Sequence, residues 1–89
     1  MPAAARKNDQ GEPHKQEPYT INDGSPNVSI NGQPAARFGD PSSQHLNHVS
    51  KVSAASESVF VNGQGLARVG DPLGGCTKIK TGSDNVNAG

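Results

Sequence analysis

Three histidines and one cysteine are the side chains of this sequence best suited to chemistry. His14, His45 and Cys76 recur at a constant spacing of 31 residues, and His48 follows His45 by three. Neutral imidazole and thiolate are the preferred protein ligands of zinc, and four of them make a closed structural site. The expectation is one zinc ion held by His14, His45, His48 and Cys76. At the same spacing, Glu17, His48 and Ile79 form a second column, in which the middle copy supplies the fourth ligand. Glu17 competes with His48 for that place, although imidazole beside thiolate suits zinc better than carboxylate does. An open, catalytic zinc would need a water position and a general base, and only Glu12 and Glu17 lie nearby in sequence. Taken singly, a polar-loop histidine is ordinarily solvated and a lone cysteine is ordinarily a small buried hydrophobe. The case for a metal rests on the shared spacing.

That spacing belongs to the whole chain. Residues 25–41 read SPNVSINGQPAARFGDP and residues 56–72 read SESVFVNGQGLARVGDP, identical at ten of seventeen positions. A third copy is split. Its second half is N-terminal, where Ala4-Ala5-Arg6 and Asp9 stand one period before Ala35-Ala36-Arg37 and Asp40. Its first half is C-terminal, where Gly82-Ser83-Asp84-Asn85-Val86 echoes Gly24-Ser25-Pro26-Asn27-Val28. Arg6, Arg37 and Arg68, all the arginines present, form one column, and Asp9, Asp40 and Asp71 form another. A split copy implies a closed three-unit arrangement with both ends of the sequence in one unit, whereas an open solenoid keeps intact copies and distinct caps.

Each copy reads as short β-structure. Val28-Ser29-Ile30 and Val59-Phe60-Val61 precede Asn31-Gly32 and Asn62-Gly63, and Asn-Gly after such a run predicts a type I′ hairpin. The return strands carry the Ala-Arg pair and stop at Gly-Asp-Pro, since proline cannot donate to a ladder. Ala3 to Arg6 reads as an edge strand, and Tyr19 to Asn22, Lys51 to Ser53 and Lys78 to Lys80 as short strands. No helix is expected. Gly74-Gly75 before Cys76 would let the backbone crowd the axis. The columns of arginine and aspartate have two readings, as paired turn-formers or as contacts for a partner. The structural one is favoured, because exposed ion pairs contribute little alone and the recurrence follows the fold.

The sequence is identified, by Pro34-Ala35-Ala36-Arg37 and the repeats around it, as similar to the PAAR-repeat family. These are small cones that cap the spike of bacterial type VI secretion systems, and related tips occur on contractile phage tails. The resemblance covers nearly the whole chain, with departures at Leu66-Ala67-Arg68 and at Asn8-Asp9-Gln10. It implies an all-β cone of three pseudo-threefold repeats, with the loops after the aspartates closing the point and small residues such as Ala4, Ala36 and Ala67 fitting the taper. In the family three histidines and one cysteine bind zinc near the apex, which matches His14, His45, His48 and Cys76. It implies a non-enzymatic tip whose base docks on a trimeric β-helical spike, the valine–glycine repeat protein, as one monomer on one trimer, and which pierces a target membrane without stable insertion. The alternatives are the equivalent tip of a contractile phage tail and a small zinc hydrolase.

Composition agrees with a small part. Eighty-nine residues, 30% hydrophobic with three aromatics, make one domain with a limited core. One cysteine makes no internal disulfide, which leaves a metal or a partner as the staple. The net charge of zero argues against nucleic acid. No apolar run is long enough to span a membrane, and the N-terminus lacks the apolar region of a secretory signal. The expectation is a cytoplasmic product exported at the spike tip, a single domain over residues 1–89 with no fused effector. No nucleophile elbow or phosphate-binding loop is present.

Overall fold

The computed structural model describes residues 2–11, 20–45, 48–74 and 77–88, with the backbone alone for 43–45, 48 and 49. Among the described residues there is no helix, and the strands form four antiparallel pairs. Strands β1 (Ser29–Ile30) and β2 (Gln33–Pro34) pair through Ile30 and Gln33, and β5 (Phe60–Val61) and β6 (Gln64–Gly65) through Val61 and Gln64. Their turns have positive φ at both central residues, 54° and 80° at Asn31-Gly32 and 53° and 80° at Asn62-Gly63. That is the type I′ geometry Asn-Gly favours. Strands β3 (Pro41–His45) and β4 (His48–Lys51) pair, as do β7 (Pro72–Leu73) and β8 (Thr77–Lys78). Ala3, Ala4 and Arg6 make isolated bridges rather than the expected edge strand, since their partners are three different segments.

The copies are joined in a ring. Ala36 N donates to Ala5 O at 3.0 Å, Ala67 N to Ala36 O at 3.0 Å, and Ala5 N to Ala67 O at 2.9 Å. Each alanine therefore gives one bond and takes one, and the third bond closes what the first began. The flanking bridges follow the same cycle: Arg6 with Ala35, Arg37 with Leu66, Arg68 with Ala4. Within each copy, Ser25 N, Ser56 N and Ser83 N donate to the carbonyls of Ala35, Leu66 and Ala4. The third copy is thus completed across the two ends of the sequence. Ala3 bridges Asn87, and Ala88 N donates to Pro2 O at 3.0 Å.

The core is layered by the same register. One cluster holds Ala5, Ala36 and Ala67 with Ile21, Val52, Ile79 and Leu73. The other holds Ala4, Ala35 and Leu66 with Ile30, Val61 and Ala88. The innermost alanine column is therefore Ala5, Ala36 and Ala67, all fully buried, and Ala4 belongs to the neighbouring layer. Symmetry breaks where space runs out. One position reads Gly11, Ser42 and Leu73, and a Cβ on Gly11 would stand 2.7 Å from Leu73 Cδ1. A single leucine fills the space that three large side chains could not share. Among the described residues no helix is long and apolar enough to cross a membrane.

Candidate functional site

Each arginine closes a turn on the aspartate three residues later. Asp40 accepts from Arg37 N at 2.7 Å, Nε at 3.2 Å and Nη2 at 3.0 Å. Asp9 and Asp71 repeat these bonds with Arg6 and Arg68. All three aspartates are buried. The hydrogen bond to its aspartate raises each guanidinium above its ordinary range, against the opposing effect of burial. Gly39 and Gly70 follow with φ of 89° and 94°, and Asn8 takes the same left-handed place with φ of 77°. This explains why Asn8 can replace the glycine of Gly-Asp-Pro: asparagine is among the few other residues that tolerate that region.

Every candidate metal ligand lies five residues past its aspartate or, for His48, eight. His14 and Cys76 fall outside the described residues, as do Glu12 and Glu17. His45 and His48 face each other as Cα partners at the end of the β3–β4 pair. Asp9 O, Asp40 O and Asp71 O accept from Ile21 N, Val52 N and Ile79 N, so those three residues are equivalent. Ile79 is therefore the counterpart of Val52, not of His48, which corrects the second column of the sequence reading. Aspartate and its return residue are twelve apart in the first two copies and eight in the third. The deletion falls in the stretch that carries Cys76. Gly74 has φ of 60°, and a Cβ there would meet Ser50 Oγ at 3.2 Å, so both conformation and approach call for glycine.

At the opposite end of each copy lies a feature the sequence reading passed over. Ser25, Ser56 and Ser83 each accept from the backbone N–H two and three residues ahead, ending at Val28, Val59 and Val86. Such a serine turn is held by its own hydroxyl. The asparagines of the hairpins dock onto these turns: Asn62 Nδ2 donates to Asn27 Oδ1 at 2.9 Å, and Asn31 Nδ2 to Asn85 Oδ1 at 2.9 Å. The signal was present in the recurring serine and asparagine, but asparagine before glycine was already accounted for by the turn. Val28, Val59 and Val86 are equally exposed, 37% each, and sit at equivalent places in the three copies. No family model matches the chain, and a search of curated proteins gives no significant match.

Proposed function

We propose that this protein is a PAAR-type tip that caps a threefold spike, as the resemblance implies. The closed alanine ring carries the reading: one chain presents three equivalent sectors, so it can meet a trimeric partner with the same contact three times. Val28, Val59 and Val86 are three matching apolar points for such a contact. A cone would cover the strand edges that the end of a β-helical trimer leaves open.

The metal belongs to this reading. Two imidazoles on paired backbone positions, a third imidazole and a thiolate form a donor set that suits zinc. His14, His45, His48 and Cys76 would hold it. When bound, zinc would supply a structural cross-link, with no step of a reaction assigned to it. In a chain with so small a core, that binding energy is folding energy.

Native mass spectrometry of the full chain with a trimeric β-helical spike protein tests the docking. The expected complex is one chain on one trimer, lost when Val28, Val59 and Val86 are all changed to aspartate. Absence of any complex, or a complex indifferent to those changes, overturns it. The same spectra should show one zinc per chain, released by acid.

A further inference from the structure

Three lysines share one outer wall of the molecule. Val52 bridges Leu73, and Leu73 pairs with Thr77, so the segments around these residues lie side by side with β7 in the middle. On one side of β7, Gly74 N donates to Lys51 O at 2.7 Å and Ser53 N to Pro72 O at 3.0 Å; on the other, Pro72 pairs with Lys78. Val52, Leu73 and Ile79 are buried in the core. Alternation then turns Lys51, Lys78 and Lys80 outward, and all three are exposed. Lys78 and Lys80 stand about 7 Å apart along one extended segment, and Lys51 lies two strand spacings, about 10 Å, away. Among the described residues the wall, formed by residues 50–53, 71–74 and 77–80, has no exposed carboxylate: its one acid, Asp71, is buried against Arg68. It has no aromatic residue either. The exposed acids among the described residues lie toward the serine turns. Glu57 and Asp84 adjoin Ser56 and Ser83, and Asp23 adjoins Gly24, whose carbonyl accepts from Arg37 Nη2. A chain of zero net charge is thus polarised. Glu12, Lys15 and Glu17 lie outside the described residues, and counted in full against the wall they still leave it positive.

We propose that this wall rests on an anionic lipid surface, with phosphate headgroups as its ligands. The lysines stand about one screening length apart in physiological salt, so a plane of charge meets them together. Gly74, opposite Lys51, has no side chain, and Pro72, opposite Lys78, brings no charge, so nothing between the strands competes for the ammonium groups. Lysine is a compact point charge without the fork that grips a single carboxylate or base. Nucleic acid is disfavoured by the neutral whole and by the want of an aromatic platform on the wall. A planar partner also suits the polarity. It draws the wall inward and turns Asp23, Glu57 and Asp84 away, which fixes the orientation of the chain. The wall and the three valines belong to different ends of the copies, so the proposal stands apart from docking on a spike.

The test is co-sedimentation of the full chain with vesicles at low salt. Vesicles of equal parts phosphatidylglycerol and phosphatidylcholine should bind it about a hundredfold more tightly than phosphatidylcholine alone, at about fivefold for each lysine near an anionic surface. Binding should fall steeply as salt rises. Lys51→Gln, Lys78→Gln and Lys80→Gln should each weaken it about fivefold, and the triple variant should bind both vesicles alike. All three positions are exposed, so the variants should keep the parent's amide spectrum away from the changed residues. Lys7→Gln changes a half-buried lysine on the Arg6–Asp9 turn, off the wall, and should leave binding within about twofold. Equal binding of the parent to the two vesicle compositions, undiminished binding by the triple variant, an equal loss with Lys7→Gln, or tighter binding to a DNA duplex than to the anionic vesicles would each overturn the proposal.

Discussion

A Cβ placed on Gly65 would stand 3.2 Å from the Cβ of Ala55 and against the carbonyl oxygen of Ser56. The equivalent pairs in the other copies reverse the roles. Gly24 faces Pro34, where an added Cβ would meet the proline Cβ at 2.8 Å, and Gly82 faces Ala3, where it would meet the alanine Cβ at 3.2 Å. One member of each pair is glycine because the ring draws the two backbones together.

Gly65→Ala should therefore destabilise by about 1–3 kcal/mol, the usual range for overpacking. Ala55→Gly in the same chain should recover most of that loss, since it restores the arrangement of Gly82 and Ala3. A double-mutant cycle in urea measures it. Simple additivity of the two changes would show that the pair does not set the spacing.

Asp40→Asn should cost about 2–4 kcal/mol, because a buried charged acceptor of three hydrogen bonds becomes a group with donors of its own. Asp71→Asn should match it. Asp9→Asn should cost more, since Asp9 also accepts from Thr81 Oγ1 at 2.9 Å. Urea midpoints decide the order, and a loss below about 0.5 kcal/mol, the level of ordinary surface changes, would remove these pairs from the account of stability.

Leu73→Ala should cost about 2–5 kcal/mol, the range for deleting a fully buried leucine. The loss should sit near the top of that range, because the equivalent Gly11 and Ser42 have little bulk with which to refill the space. Thermal melting of the Leu73→Ala chain beside the parent checks it.

Joining Ala88 to Pro2 through Asn-Gly and opening the chain at Asn62-Gly63 should give a protein with the native amide spectrum. The bridge between Ala3 and Asn87 already holds the arms of that third hairpin in place. Closing the same join without a new opening should raise stability by up to about 4 kcal/mol, as for a cross-link across a loop of this length. A permutant that fails to fold would mean that the third junction differs from the other two in more than connectivity.

Much of this architecture was legible in the sequence, for a definite reason. Asn31-Gly32 and Asn62-Gly63 announce hairpins because their conformation is a local demand that few other residues meet. Arg37 and Asp40 are three apart in every copy because the turn they close is equally local. What escaped is what depends on other copies. The equivalence of Ile79 with Val52 follows from carbonyl partners at Asp71 and Asp40, and a constant spacing misplaces it once the loop between them is shortened. The pairing of Gly65 with Ala55 and the clamp of Asn62 on Ser25 are likewise contacts across a junction, where spacing carries no message. Of the proposed zinc ligands the sequence states the types and the period. The pairing of His45 with His48 adds only that two of them face each other across one hairpin.

The alanine ring also dictates when this chain can fold. Ala5, Ala36 and Ala67 satisfy one another across 31 residues twice and 62 residues once, so no copy completes its backbone bonds alone. Pairings this distant are slow to find, because each closes a long loop before any contact rewards it. On the ribosome the delay is built in: Ala4 N waits for Val86 O, and Pro2 O for Ala88 N. A nascent chain halted after the second copy should remain open to proteases. Protection should arrive in one step, only once residues 86–88 have emerged.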